Sequence, residues 1–186
     1  MFQLNSKYPP AIGSVYWRTS AAPNTSVFLP WYVGITATPK SYYYSGDLKK
    51  IVTAKYHFAS ESYNYNPNNK KASWVFRELQ GQVNLDSMVR TSEVRKVWDS
   101  LESDLITKQG NIQTKAMKLY EKNKNSAYEY LTKYCSNVSK NAISQTKKLS
   151  KQYPELKCNP NDILDPGAKQ IKKISTETCP FIPNKK

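Results

Sequence analysis

The spacing of apolar and polar positions changes about one third of the way along the chain. In the first part it alternates. "GSVYWRTS" sets Val15, Trp17 and Thr19 on one side against Tyr16, Arg18 and Ser20 on the other. "SVFLPWYVGIT" is apolar on both sides: Val27, Leu29, Trp31, Val33 and Ile35 face one way, and Phe28, Pro30, Tyr32 and Gly34 the other. A strand of that kind belongs inside a layered structure, covered on both faces. Pro30 has no N–H to give a ladder, so the strand is expected at an edge or to carry a bulge there. The intervening "AAPNT" predicts an antiparallel hairpin with a longer loop. A third strand is expected in "IVTAKYHF", where Val52, Ala54, Tyr56 and Phe58 alternate with Thr53, Lys55 and His57.

The composition of "SESYNYNPNNKK" marks a loop, and after it the period lengthens. "SWVFRELQGQVN" predicts a short helix with Ser73 as N-cap and Trp74, Val75, Phe76 and Leu79 as its apolar positions. Val94, Val97, Trp98, Leu101, Leu105, Ile112, Ala116, Leu119 and Tyr120 then recur mostly at three- and four-residue steps, with a kink or interruption expected at Gly110-Asn111. A fresh start is expected at Ser126, which forms a capping box with Glu129. Its stripe runs through Tyr128, Leu131, Tyr134, Cys135, Val138, Ala142, Ile143 and Leu149, and Pro154 closes it. The pattern therefore predicts an α+β fold: antiparallel strands over about 12–58, then helices over about 73–153. The two long helices should pack as an antiparallel pair against the sheet. Residues 154–186 are rich in turn formers and read as an irregular tail.

At 186 residues the chain is the size of one domain. No run approaches the roughly 20 apolar residues of a membrane span, so no membrane partner is expected. The sequence enters patterned strand almost at once, with no basic-then-apolar leader, and reads as a piece of something longer. The net charge of +14 raises the question of nucleic acid. The lysines are dispersed and lie mostly opposite the helical apolar stripes, with no zinc-finger spacing, arginine-rich block or RNA-binding signature, so nucleic acid is not expected. Of the three cysteines, Cys135 lies on an apolar stripe and reads as a small core residue. Cys158 and Cys179 flank the tail and could join in an oxidising compartment. The sequons at Asn24 and Asn137 slightly favour a secretory or lysosome-like setting over the cytoplasm, but the compartment stays open.

The residues alone assemble no complete active site. His57 has no ordered serine or cysteine partner, and the carboxylates, among them Glu93, Glu102, Asp104 and Glu129, form no acid/base pair. Metal-ligand spacings and a glycine-rich phosphate loop are absent. Arg18 lies on a strand, where a charge is costly to bury unless it meets a carboxylate or a substrate; an edge-strand arginine reaching solvent fits equally well. Asn24, Thr25 and Ser26 place donors and acceptors at a strand mouth, a common place for ligand-orienting groups, and also serve as plain turn residues.

"GSVYWRTSAAPNTSVFLPWYVGI", followed by "SWVFRELQGQVN" and the helical run ending "EYLTKYCSNVSKNAISQTKKLSKQY", resembles the carboxyl-terminal half of the cysteine dipeptidases among the N-terminal-nucleophile hydrolases. The resemblance covers roughly Pro9 to Tyr153 and rests on a spaced pattern more than on one motif. It implies a partial αββα sandwich, two facing antiparallel sheets with a helix layer outside each, with the 27–35 strand as a central member. It also implies peptide-bond hydrolysis of dipeptides by an amino-terminal cysteine, with no metal or other cofactor. This chain begins Met-Phe, so the nucleophilic cysteine is expected outside it, and the chain alone is expected to be inactive. Arg18, Asn24, Thr25 and Ser26 become the expected substrate-binding residues. The expected partners are a dipeptide in the complete enzyme, the missing amino-terminal half of the domain, and a second copy of the chain in a homo-oligomer. The alternatives are a non-catalytic pseudoenzyme or subunit that completes another chain, and a basic nucleic-acid-binding domain suggested by charge alone.

Overall fold

The computed structural model describes residues 1–43 and 70–153. The first segment forms a three-stranded antiparallel sheet in the order β1-β2-β3, where β1 is Phe2–Leu4, β2 Ser14–Arg18 and β3 Leu29–Tyr32. Directly opposed residues share a face of an antiparallel pair. The register Val15↔Tyr32 and Trp17↔Pro30 therefore sets one face, and Phe2↔Tyr16↔Trp31 sets the other.

A single helical turn, α1 (Pro10–Gly13), links β1 to β2; Pro10 stands at its first position, where the missing N–H costs nothing. Gly34 follows β3 and donates its N–H to the Ala11 carbonyl at 2.9 Å. A Cβ at Gly34 would lie 2.7 Å from that oxygen, so the close approach requires glycine.

The helical part comprises α2 (Ala72–Asn84), α3 (Ser87–Lys122) and α4 (Lys124–Ser150). Asn123 alone separates the two long helices, and its side chain accepts from the Asn125 N–H at 2.8 Å. The chain reverses there. Tyr120 and Tyr128 meet edge to face beside the turn, while at the far end the Tyr153 hydroxyl donates to Glu93 at 3.0 Å. The expected antiparallel pair is present.

Its details differ from the sequence expectation. The cap is Asn123, not Ser126, because the asparagine oxygen reaches the orphan N–H two residues on and starts the helix earlier. Likewise α2 begins at Ala72 after Lys71, which leaves Ser73 inside the first turn with no capping role. α3 runs unbroken through Gly110 for 36 residues, about 54 Å. Glycine costs a helix entropy there but removes no hydrogen bond, so it need not bend the helix.

The sheet packs one face on the long helices. Val15, Trp17 and Tyr32 point inward and are almost wholly buried, in a core shared with Phe76, Trp98 and Leu131. The Cys135 thiol donates to the Pro30 carbonyl at 3.4 Å, and Tyr134 meets Tyr32 edge to face, which seats α4 across β3. Within the described residues β3 lies at the sheet edge, the position open to Pro30, and β2 is the central strand. The regular strand stops at Tyr32, because the chain turns through Val33 and Gly34; Val33 is consequently exposed. The expected strand at 51–58, most of the following loop and the tail lie outside the described residues. The architecture is α+β, an amino-terminal antiparallel sheet followed by long helices. Among the described residues no helix is long and apolar enough to cross a membrane.

Candidate functional site

Two regions of the sheet carry the chemistry. The first is the loop that leads into β3, which α3 grips. Trp98, fully buried, donates its indole N–H to the Thr25 carbonyl at 3.1 Å. Arg95 donates to the carbonyls of Pro23 at 3.1 Å and Ser26 at 3.0 Å, and pairs with Asp99 and with Glu102 at 3.1 Å. Glu102 in turn accepts the Phe28 N–H at 3.0 Å. Four backbone groups between Pro23 and Phe28 are thus held by three side chains spaced by three or four residues on one helix face. The Thr25 hydroxyl donates to the Ala22 carbonyl at 3.2 Å, closing the turn on itself.

The second region is the face of the sheet opposite Val15 and Trp17. Phe2, Leu4 and Tyr16 project from it and are 57%, 72% and 47% exposed. Phe2 and Tyr16 are ring neighbours at 6.5 Å. Farther along the same face the Arg18 guanidinium lies 4.7 Å from the ring centroid of Trp31 and 4.9 Å from that of Tyr42, which themselves meet edge to face. Arg18 is the only charged residue in the three strands. It makes no ion pair within the described residues. The Tyr42 hydroxyl is buried close to the Ser20 and Ser139 hydroxyls without a well-aligned hydrogen bond to either, and burial pushes its pKa up, so it stays a neutral phenol. The Trp31 indole N–H is also buried and has no partner among the described residues.

A cleft of about 380 Å³ opens between the sheet and α3, walled by Phe2, Trp17, Phe28 and Ile106, with Gln3, Glu102 and Gln109 as its polar groups. Trp17 donates its indole N–H to Gln3 there at 3.0 Å.

The structure separates the four expected binding residues. Arg18 stands on the open face. Asn24 is exposed on the loop, whereas Thr25 and Ser26 are buried beneath α3 with their carbonyls engaged, and the Ser26 hydroxyl has no partner among the described residues. Cys135 is a core residue, as its stripe position predicts. Burial pushes its thiol up to about 11, far from the thiolate range of a nucleophile. His57, Cys158 and Cys179 lie outside the described residues. Among the described residues no group of three or more His, Cys, Asp or Glu side chains could hold a metal ion.

Sequence reasoning missed Arg95, Trp98 and Glu102 as a unit. Trp98 was legible as a core position, but nothing local says that its N–H faces a loop 73 residues away. It also missed Gln113, buried on α3, which donates to the Ile12 carbonyl at 3.1 Å and accepts from Asn5 at 3.3 Å. A glutamine on an apolar stripe was the available signal. Compared with protein-family models, with curated proteins and with solved structures, the chain matches none.

Proposed function

We propose that this chain is the carboxyl-terminal portion of a cysteine-type dipeptidase of the N-terminal-nucleophile class, with the attacking thiol on a segment outside these 186 residues. The observation that carries the reading is the two-sided sheet: helices cover Val15, Trp17 and Tyr32, while Phe2, Leu4 and Tyr16 stand uncovered on the other side. Apolar residues placed in register on an open face call for a cover. In an αββα sandwich that cover is a second antiparallel sheet, and the substrate lies between the two.

In this reading the amino-terminal cysteine attacks the peptide carbonyl, and its own α-amine, with an ordinary pKa near 8, takes the proton. The present chain supplies one wall of the cleft. Arg18 orients substrate from the open face. Asn24 lies at the rim, on a loop whose shape is fixed by Arg95, Trp98 and Glu102. Cys135 takes no part, since its thiol is buried and directed at the Pro30 carbonyl.

The test is hydrolysis by the product of the complete reading frame. Dipeptide turnover that survives chelators and is lost when a processed amino-terminal cysteine becomes serine supports the proposal. A complete product without dipeptide turnover, or turnover abolished by chelators, contradicts it. The uncovered face also favours one second reading, a non-catalytic subunit that seats on another chain's sheet. A reading frame with no processed cysteine ahead of Met1 selects it.

A further inference from the structure

We infer that β1 is the contact through which two copies of this chain join, strand to strand, into one six-stranded sheet. The backbone supplies the first reason. Met1 and Trp17 exchange two hydrogen bonds, at 2.8 and 3.2 Å, and the Asn5 N–H donates to the Gly13 carbonyl at 2.9 Å. Bonded pairs alternate with unbonded ones in an antiparallel ladder. Gln3 therefore bonds to β2, while Phe2 and Leu4 turn their N–H and C=O groups away from it. Among the described residues β1 is an outer strand, and Phe2, Gln3 and Leu4 are all exposed. Aligned backbone groups on an exposed rim are a template for another strand.

That strand is a second β1, because the outward groups are self-complementary. With the two strands antiparallel and Gln3 on a two-fold axis, Phe2 of one copy faces Leu4 of the other. Each Phe2–Leu4 pair exchanges two hydrogen bonds, which uses every outward group of both residues in both copies. Charge favours the same place. Two chains of net charge +14 repel each other, and the side chains of residues 1–6 carry no charge. β1 also has none of the devices that keep edges apart: no lysine, no proline and no bulge. The cleft beside β1 gives the added strand room, with Phe2, Gln3 and Ile106 in its wall and Ile106 59% exposed. Edge pairing leaves the Phe2, Leu4 and Tyr16 face uncovered, so the inference does not rest on the dipeptidase reading.

The experiment combines sedimentation of the 186-residue chain with cross-linking at chosen positions. Wild type should sediment as a dimer. Leu4→Pro removes an outward N–H and no bond within the sheet, so it should weaken dimerisation at least tenfold with an unchanged circular dichroism spectrum. Leu4→Val keeps that N–H and should dimerise as wild type does. Tyr16→Lys changes the open face but not the edge, and should remain a dimer. Facing Cα atoms of an unbonded antiparallel pair stand about 4.5 Å apart, within reach of a disulfide. Under mild oxidation Gln3→Cys should therefore join two copies at position 3, mapped by mass spectrometry. Leu4→Cys, whose copies stand two residues out of line, should join several-fold less. If Leu4→Pro does not fold, the cross-links decide alone. A monomeric wild type, Leu4→Pro associating like Leu4→Val, a dimer dissolved by Tyr16→Lys, or cross-links that favour position 4 over position 3 each overturns the inference.

Discussion

Arg95 is the perturbation from which the described structure predicts most. Arg95→Met keeps the alkyl stem and removes the donors that tie the 23–28 loop to α3. The bond to the Ser26 carbonyl is charge-assisted and partly buried, worth about 1.5 kcal/mol. The bond to Pro23 is exposed and adds about 0.5 kcal/mol. Glu102, whose side chain is 17% exposed, loses its cation while keeping the Phe28 N–H, at a cost of about 1 kcal/mol. Asp99 is 66% exposed and its pairing adds nothing that survives screening. The sum is about 3 kcal/mol, a fall in Tm of about 6–12 °C for a chain of this size. The control is Lys108→Met, which breaks an ion pair with Asp104 on the same helix with both partners about half exposed; its effect should stay below about 0.5 kcal/mol. Paired urea and thermal melts by circular dichroism make the comparison. If Arg95→Met shifts the midpoint no more than Lys108→Met, the loop is not held by α3 and the reasoning fails.

Other outcomes follow from named groups. Gly34→Ala places a Cβ 2.7 Å from the Ala11 carbonyl oxygen and should cost about 1–3 kcal/mol, whereas Gly110→Ala, exposed in α3 with nothing near, should stabilise by about 0.5–1 kcal/mol in the same melts. Burial raises the Cys135 thiol from its ordinary range to about 11, so its protonated form stabilises the fold below pH 9 and that contribution is lost as pH rises toward 11. Calorimetry across pH 7–11 should show a falling Tm in wild type and a shallower fall in Cys135→Ala; parallel slopes would contradict the assignment. Alkylation mapped by mass spectrometry should find Cys135 protected until the chain unfolds. The open apolar face predicts self-association of the isolated chain that Leu4→Lys combined with Tyr16→Lys relieves; sedimentation showing a wild-type monomer with a cooperative melt would count against it.

Much of the fold is written in periodicity. Val15 and Trp17 alternate because one side of β2 meets the helices, and the stripe from Leu131 to Leu149 repeats because α4 lies on the same core. Ends were less legible, since a cap depends on which side chain reaches an orphan N–H: Asn123 does so two residues on, and Ser126 is left inside the helix. β1 escaped notice because the alternation of Phe2, Gln3 and Leu4 is only three residues long, too short to mark a strand. The site was the least legible part. Arg18 stands out as a charge within a strand, but its stacking on Tyr42 joins residues 24 apart, and the grip of α3 on the 23–28 loop joins residues about 70 apart. Long-range pairings of this kind leave no local trace.

The central claim is that a second sheet covers Phe2, Leu4 and Tyr16. Covalent footprinting of these three residues in the 186-residue chain and in the complete product of its reading frame compares the two states directly. The account predicts strong labelling in the former and at least several-fold protection in the latter; equal labelling, or a reading frame that opens at Met1, contradicts it.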